Sequence, residues 1–154
     1  MSVYKYTVRG GFPIRGTVRA AGNKNAALPC IAACLLTDEE VLLENVPDIE
    51  DVHVMLDVAR ALGCSVEPGT TAGEYRIQAG NLAGSEIPGD LAKQIRASIL
   101  FAGPMVARAG RVTLPPPGGD VIGRRRLDTH FLALSALGAR VEMEGLFDIT
   151  ANKL

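Results

Sequence analysis

The chain has 154 residues, of which 47% are hydrophobic and 21% charged, with 16 Lys+Arg against 17 Asp+Glu and a formal net charge of −1. That length suits one globular domain able to bury roughly 70% of the surface its unfolded form exposes. The even charge balance argues against a general nucleic-acid binder, which needs a large excess of Lys and Arg. Gly (17) and Ala (20) make up about a quarter of the chain while Trp is absent and aromatics are 5%, so the core is built by closely approaching backbones and not by large rings.

The opening Met1 to Tyr6 has no apolar h-region, so no secretory signal is expected. The longest apolar stretch, Ala26 to Leu36, is about half of what a bilayer crossing needs, so no membrane span is expected. Cys30, Cys34 and Cys64 are odd in number and lack CxxC spacing. They read as reduced thiols packed in the core of a cytoplasmic protein, with no metal role.

In chain order, Tyr6 to Gly10 reads as a first strand. Asn25 to Leu36 follows as a helix apolar nearly all round, the mark of a helix enclosed on every side. Val41 to Glu44 is a short strand. Ile49 to Leu62 is an amphipathic surface helix, with Ile49, Val52, Leu56, Ala59 and Leu62 on one face and Glu50, Asp57 and Arg60 elsewhere. Gly63 suits the left-handed position just past its end. Strands near Cys64 to Glu67 and Tyr75 to Leu82 come next. The second half repeats the order: apolar helix Arg96 to Ala107, strand Val112 to Leu114, helix Arg125 to Leu137 closed by Gly138, and strands Arg140 to Met143 and Phe147 to Thr150.

The order repeats because the sequence does. Residues 26–43 align without gaps on 97–114, an offset of 71, and Leu62 to Glu67 aligns on Leu137 to Glu142 at an offset of 75. Four extra residues sit in the second copy's loop. Tyr6 to Gly10, Tyr75 to Leu82 and Phe147 to Leu154 mark where copies begin, which divides the chain into an N-terminal strand segment (1–22) that either opens repeat 1 or belongs with a second domain, repeats at 23–80 and 81–146, and the start of a third at 147–154. The pattern is an α/β fold of βαβα repeats with sheet outside and helices inside. Repeats bury their faces against neighbours, so a piece of a longer protein is expected.

Three places carry polar groups that packing does not ask for. Gly22-Asn23-Lys24-Asn25 puts a lysine at a helix N-terminus, against the macrodipole; either the side chain is solvated or an anion binds Lys24 together with the free amides of the first turn. Lys93-Gln94-Ile95-Arg96 precedes the matching helix, and Asn25 and Arg96 are equivalent in the repeat, so both copies present polar or cationic groups at the same helix end. The third is the loop Pro115 to Asp128, whose prolines and glycines specify unusual backbone angles and which carries Arg124, Arg125 and Arg126 in a row.

Gly22-Asn23-Lys24-Asn25, the Arg96-Ala97-Ser98 helix start and the loop Pro117-Gly118-Gly119-Asp120-x-Ile122-Gly123-x-Arg125-x-x-Asp128-x-His130 together resemble the UDP-N-acetylglucosamine 1-carboxyvinyltransferases, the enolpyruvyl transferases of peptidoglycan synthesis, over essentially the whole chain. The loop separates it from the related 3-phosphoshikimate 1-carboxyvinyltransferases. The resemblance implies two similar domains, each an inside-out α/β barrel of three repeats with the active site between them, so that these 154 residues are an incomplete N-terminal part, inactive alone and prone to self-association.

It also implies the chemistry. The 3′-hydroxyl of UDP-N-acetylglucosamine attacks C2 of phosphoenolpyruvate while C3 is protonated, and the adduct then loses phosphate, with no metal or organic cofactor. Lys24 and Asn25 would contact phosphoenolpyruvate, Arg125 would neutralise charge in catalysis, and Arg96 with Arg125, Arg126, Leu127, Asp128 and Thr129 would bind the UDP-sugar. Forked guanidinium groups suit such anions. Asp120 stands where most members carry Cys and would be the proton donor. A carboxylic acid has a reference pKa of about 3.9, so that role needs desolvation or a neighbouring substrate anion to raise it. A carboxylate is a poor nucleophile beside a thiolate, so a complete enzyme is expected to resist the epoxide fosfomycin, which alkylates the family's loop cysteine. Arg126 stands where Pro is common. Two other readings remain beside this one: a paralogue with another acceptor, such as a 3-phosphoshikimate-like molecule, and a non-catalytic anion-binding repeat module.

Overall fold

The structure is a computed structural model that describes residues 4–119 and 126–154. Residues 4–21 form no helix or ladder, and Tyr4, Tyr6, Val8, Phe12, Ile14 and Val18 are all exposed. The strand read over Tyr6 to Gly10 therefore has no partner among the described residues.

The first copy runs α1 (Lys24–Ala33), a 3-10 turn (Cys34–Leu36), β1 (Glu40–Leu43), α2 (Glu50–Ala61), β2 (Ser65–Pro68) and β3 (Tyr75–Gln78). Both other strands pair antiparallel with β3, in the order β1-β3-β2, and Val41 and Val66 sit opposite Ile77. The second copy runs α3 (Gly89–Ala92), a 3-10 segment (Arg96–Phe101), α4 (Ala102–Ala109), β4 (Arg111–Leu114), α5 (Asp128–Ala136), β5 (Arg140–Glu144) and β6 (Leu146–Thr150). Its sheet has the order β4-β6-β5, with Val112 and Val141 opposite Ile149. The two copies have the same topology, as the offset of 71 to 75 residues requires. In the second, 85–87 also runs parallel beside β4: the Ile87 N–H donates to the Thr113 carbonyl at 2.9 Å and the Thr113 N–H to that of Ser85 at 2.6 Å.

Phe147 to Thr150 lies within β6, the middle strand of the second sheet, and is equivalent in place to β3. Strand order depends on pairing across space, and chain order alone does not reveal that the last strand inserts between the first two.

Two corrections concern the apolar helices. Arg96 to Ala107 is not one helix. It is a 3-10 segment followed by α4, which places Pro104 in the first turn of α4, where a missing N–H costs nothing. Nor is α1 enclosed on every side. Ala27, Leu28, Ile31 and Ala32 are buried against α2 and the Arg96–Phe101 segment, whereas Ala26, Pro29, Cys30, Ala33 and Leu36 are exposed. Two copies cover only the flanks that face each other.

The surface helix α2 buries Val52, Val54, Met55, Leu56, Val58 and Ala59, and exposes Glu50, Asp57 and Arg60. Each full burial of a Val, Leu or Met side chain stabilises by about 1.5–3 kcal/mol, so this face anchors the first copy. Its counterpart α5 buries only Phe131 and Leu134 and leaves Leu132 exposed. One continuous core joins the copies through Ile31, Leu35, Ile77, Phe101, Met105, Val112 and Ile149. Cys34 and Cys64 belong to it, and burial pushes both thiols up to about 11. Cys30 does not; it is exposed, contrary to the core-packing expectation, because it lies on the open flank of α1. Among the described residues no helix is long and apolar enough to cross a membrane.

Candidate functional site

Gly22, Asn23 and Lys24 each have a distinct task. A Cβ on Gly22 would run into the Asn45 carbonyl and the Pro47 ring, so only glycine lets the chain pass the 45–47 loop there. Asn23 is the N-cap of α1: its Oδ1 accepts from the Ala26 N–H at 3.1 Å and its carbonyl from the Ala27 N–H at 2.9 Å. Lys24 is then the first helical residue, and its ammonium is ion-paired with the Asp51 carboxylate in the first turn of α2. Pro29, inside α1, removes the helical bond to the Asn25 carbonyl.

The second wall comes from the end of α3 and the proline-glycine loop. The Gly118 N–H donates to the Ala92 carbonyl at 2.9 Å and the Gly119 N–H to that of Lys93 at 3.0 Å. A Cβ at 118 would run into the Lys93 carbonyl, and Gly119 has φ +90° with the Arg96 nitrogen 3.1 Å from where its Cβ would sit. The glycine pair thus lets the loop lie flat against 93–96. The Arg96 guanidinium donates through Nη2 to the Arg126 carbonyl at 3.1 Å. Arg126 is ion-paired with Asp128, whose carboxyl that arginine holds below the usual carboxylate range.

These walls enclose a cleft of about 650 Å³. Lys24, Lys93 and Arg96 bring three cations to it, Asp51 one carboxylate, and Asn25, Gln94 and Gly119 further polar groups. Leu28, Ile95, Ile99 and Leu100 give it an apolar floor. An excess of positive charge beside an apolar floor is chemically suited to an anion of phosphate or carboxylate type.

Of the residues singled out in the sequence, Lys24, Asn25 and Arg96 meet in this cleft. Arg126 is bonded to its Arg96 but does not line it; Leu127 caps α5, half-buried, Asp128 opens α5, and Thr129 is exposed in its first turn. Asp120 and Arg125 lie outside the described residues, as does Arg124. Asp51 was missed. Its position in the first turn of a helix looked like an ordinary response to the macrodipole, and nothing local points 27 residues back to Lys24.

Two copies of one α/β unit, joined so that the starts of their inner helices share a cationic cleft, have the enolpyruvyl transferase fold. The crystal structure of the enolpyruvyl transferase NikO from Streptomyces tendae superposes with a TM-score of 0.74 at 26% identity, covering 94% of this chain and 32% of that one. The EPSP synthase of Acinetobacter baumannii shares the fold at a TM-score of 0.63 and 18% identity, over 89% of this chain and 32% of that one. The family described as EPSP synthase (3-phosphoshikimate 1-carboxyvinyltransferase) matches residues 8–151, and the chain belongs to it.

Within that family the chain is 62% identical over 149 residues to the UDP-N-acetylglucosamine 1-carboxyvinyltransferase of Treponema pallidum (strain Nichols), covering 97% of this chain and 35% of that protein. It is 48% identical over 154 residues to the enzyme of the same name from Bradyrhizobium diazoefficiens, covering 100% and 36%. The chain spans about 35% of the length of the curated relatives it matches.

Proposed function

We propose that this chain provides the anion-holding part of a transferase that moves the enolpyruvyl group from phosphoenolpyruvate to the 3′-hydroxyl of UDP-N-acetylglucosamine, releasing phosphate. The observation that carries this reading is the convergence of Lys24, Lys93 and Arg96 on one cleft; the printed names of the 62% and 48% identical relatives supply the substrates. The alternative acceptor, 3-phosphoshikimate, belongs to the name of the wider family.

The chemistry asks for little else from these residues. The acceptor hydroxyl loses its proton to solvent as its oxygen bonds to C2 of phosphoenolpyruvate and C3 takes a proton, giving a tetrahedral adduct that carries both phosphate and carboxylate. Breaking the C2–O bond expels phosphate, and loss of a C3 proton restores the double bond. Cations fixed before substrate arrives stabilise the negative charge that gathers on the leaving phosphate, without reorganising at the moment of reaction. Lys24 supplies a compact charge and Arg96 a fork. Asp120 is assigned the proton delivery at C3, and Arg125, Arg126, Leu127, Asp128 and Thr129 the sugar-nucleotide side. On this reading the protein acts in peptidoglycan synthesis, and so in cell shape and division, in the cytoplasm.

The exposed residues 4–21 and the open flank of α1 support the reading that further chain packs on this part, and that the 154 residues alone turn over no substrate and self-associate. The deciding experiment expresses a chain of the relatives' full length and follows phosphate release from phosphoenolpyruvate with either UDP-N-acetylglucosamine or 3-phosphoshikimate. Release only with the sugar nucleotide is expected. Release with shikimate phosphate alone reassigns the acceptor, and no release with either refutes the transferase.

A further inference from the structure

We infer that Asp51 is a positioning residue of the cleft: its carboxylate holds the Lys24 ammonium over the cavity, so that an incoming phosphate or carboxylate meets a cation already aimed. This rests on the anionic-substrate reading above.

A lysine side chain is long and has many rotamers, and ordering it opposes binding. Lys24 begins α1, where the helix dipole gives a cation no reason to stay, and its side chain is 49% exposed. The Asp51 partner supplies the missing restraint. It lies on a different helix, in a first turn that favours negative charge, and both residues line the same cleft. An ammonium has three donors, so one engaged by Asp51 leaves two for a ligand.

The repeat supports the assignment independently. At the offset of 75 that relates α2 to α5, Asp51 corresponds to Arg126; at the offset of 71 that relates the inner helices, Asn25, the neighbour of Lys24, corresponds to Arg96. In the second copy Arg96 donates to the Arg126 carbonyl. In each copy a cation near the start of the inner segment is thus tied to the stretch that opens the surface helix: Lys24 to Asp51 within α2, and Arg96, one position on from the counterpart of Lys24, to the Arg126 carbonyl two residues before α5.

The test introduces Asp51→Asn and Asp51→Glu into a chain of the relatives' full length. Lys24 reactivity is read by trace labelling with limiting acetic anhydride and peptide mass spectrometry, and binding of phosphoenolpyruvate and of inorganic phosphate by calorimetry. Asp51→Asn should speed labelling of Lys24, leave the other lysines and the melting temperature unchanged, and weaken phosphoenolpyruvate binding by about two- to fivefold, the span of a partly exposed ion pair. Asp51→Glu, which keeps the charge, should recover part of both. Unchanged Lys24 labelling overturns the inference, and so does binding that stays equal or tightens in Asp51→Asn, since the carboxylate would then only compete with the ligand. Failure of the unsubstituted chain to bind either anion overturns the functional reading, and the inference falls with it; a labelling change in that case still registers the pair.

Discussion

The Arg108 guanidinium, on α4 of the second copy, donates to the Leu35 carbonyl at the end of the first copy's inner helix at 3.2 Å, and through its other terminal nitrogen to the Ala79 carbonyl, also at 3.2 Å. One side chain thus satisfies two carbonyls of the neighbouring copy, both on residues with no exposed surface. Replacing Arg108 by Met keeps the apolar stem and removes the donors. An expected loss of about 1–3 kcal/mol, the cost of stranding such acceptors, should appear in urea unfolding as a lower midpoint with an unchanged slope.

Gly118 admits no side chain because the Lys93 carbonyl occupies the space. Gly118→Ala should cost about 1–3 kcal/mol as an overpacked contact or displace the loop from 93–96, and in either case weaken phosphoenolpyruvate binding. Gly80→Ala is the control: nothing lies within 4 Å of its Cβ position, and it should melt and bind as the parent does. Equal behaviour of the two variants in calorimetry would remove the loop from the site.

The turn between β2 and β3 depends on one carboxylate. Glu74 accepts from the Thr70 N–H and hydroxyl and the Thr71 N–H, each at 3.0 Å, and from the Thr71 hydroxyl at 2.6 Å. The Thr71 hydroxyl first, then the Thr71 N–H and Thr70, hold its carboxyl below the ordinary value. A folded-state pKa lowered in this way gives stability that is complete above the unfolded value of about 4.3 and is lost as pH falls through the folded one. Glu74→Gln should therefore melt below the parent at pH 7 and converge with it in acid, as followed by circular dichroism from neutral to strongly acidic pH.

Asp148 makes a second acid-sensitive contact, this time between strands. It accepts from Arg111 Nε and Nη2, both at 2.9 Å, and from the Thr113 hydroxyl at 3.1 Å. The Arg111 hydrogen bonds lead in lowering its carboxyl. Asp148→Asn should remove part of the acid-dependent loss of stability and speed amide exchange in β4 and β6 at neutral pH, while exchange in β1 and β3 stays unchanged.

The three cysteines should divide by burial. Cys34 and Cys64, pushed up to about 11, are almost wholly thiol near pH 7.5 and shielded, whereas Cys30 is exposed. Iodoacetamide should modify Cys30 alone in the folded chain and all three in denaturant. Modification of Cys64 at the rate of Cys30 would mean that the core opens on the timescale of the reaction.

Much of the fold was legible without coordinates because its signals are local. The period of Val52, Leu56 and Ala59 defines the buried face of α2, and Gly63 and Gly138 end their helices with φ +100° and +103°, as the left-handed position requires. The self-similarity of 26–43 and 97–114 announced two copies of one topology. Lys24 was legible as a lysine placed against the macrodipole at a helix start, and Asn25 and Arg96 because equivalent positions in the repeat lie at equivalent ends of packed helices.

What tertiary structure alone decided concerns partners far apart in the chain. Strand β6 inserts between β4 and β5 through backbone hydrogen bonds that any residue can make, so side-chain pattern carries no record of that order. Asp51 reaches Lys24 because α1 packs on α2 with their first turns side by side, and an ion pair leaves no periodic trace in either helix. Even the apolar flanks of α1 are alike in sequence; which one is buried depended on which side the second copy occupied.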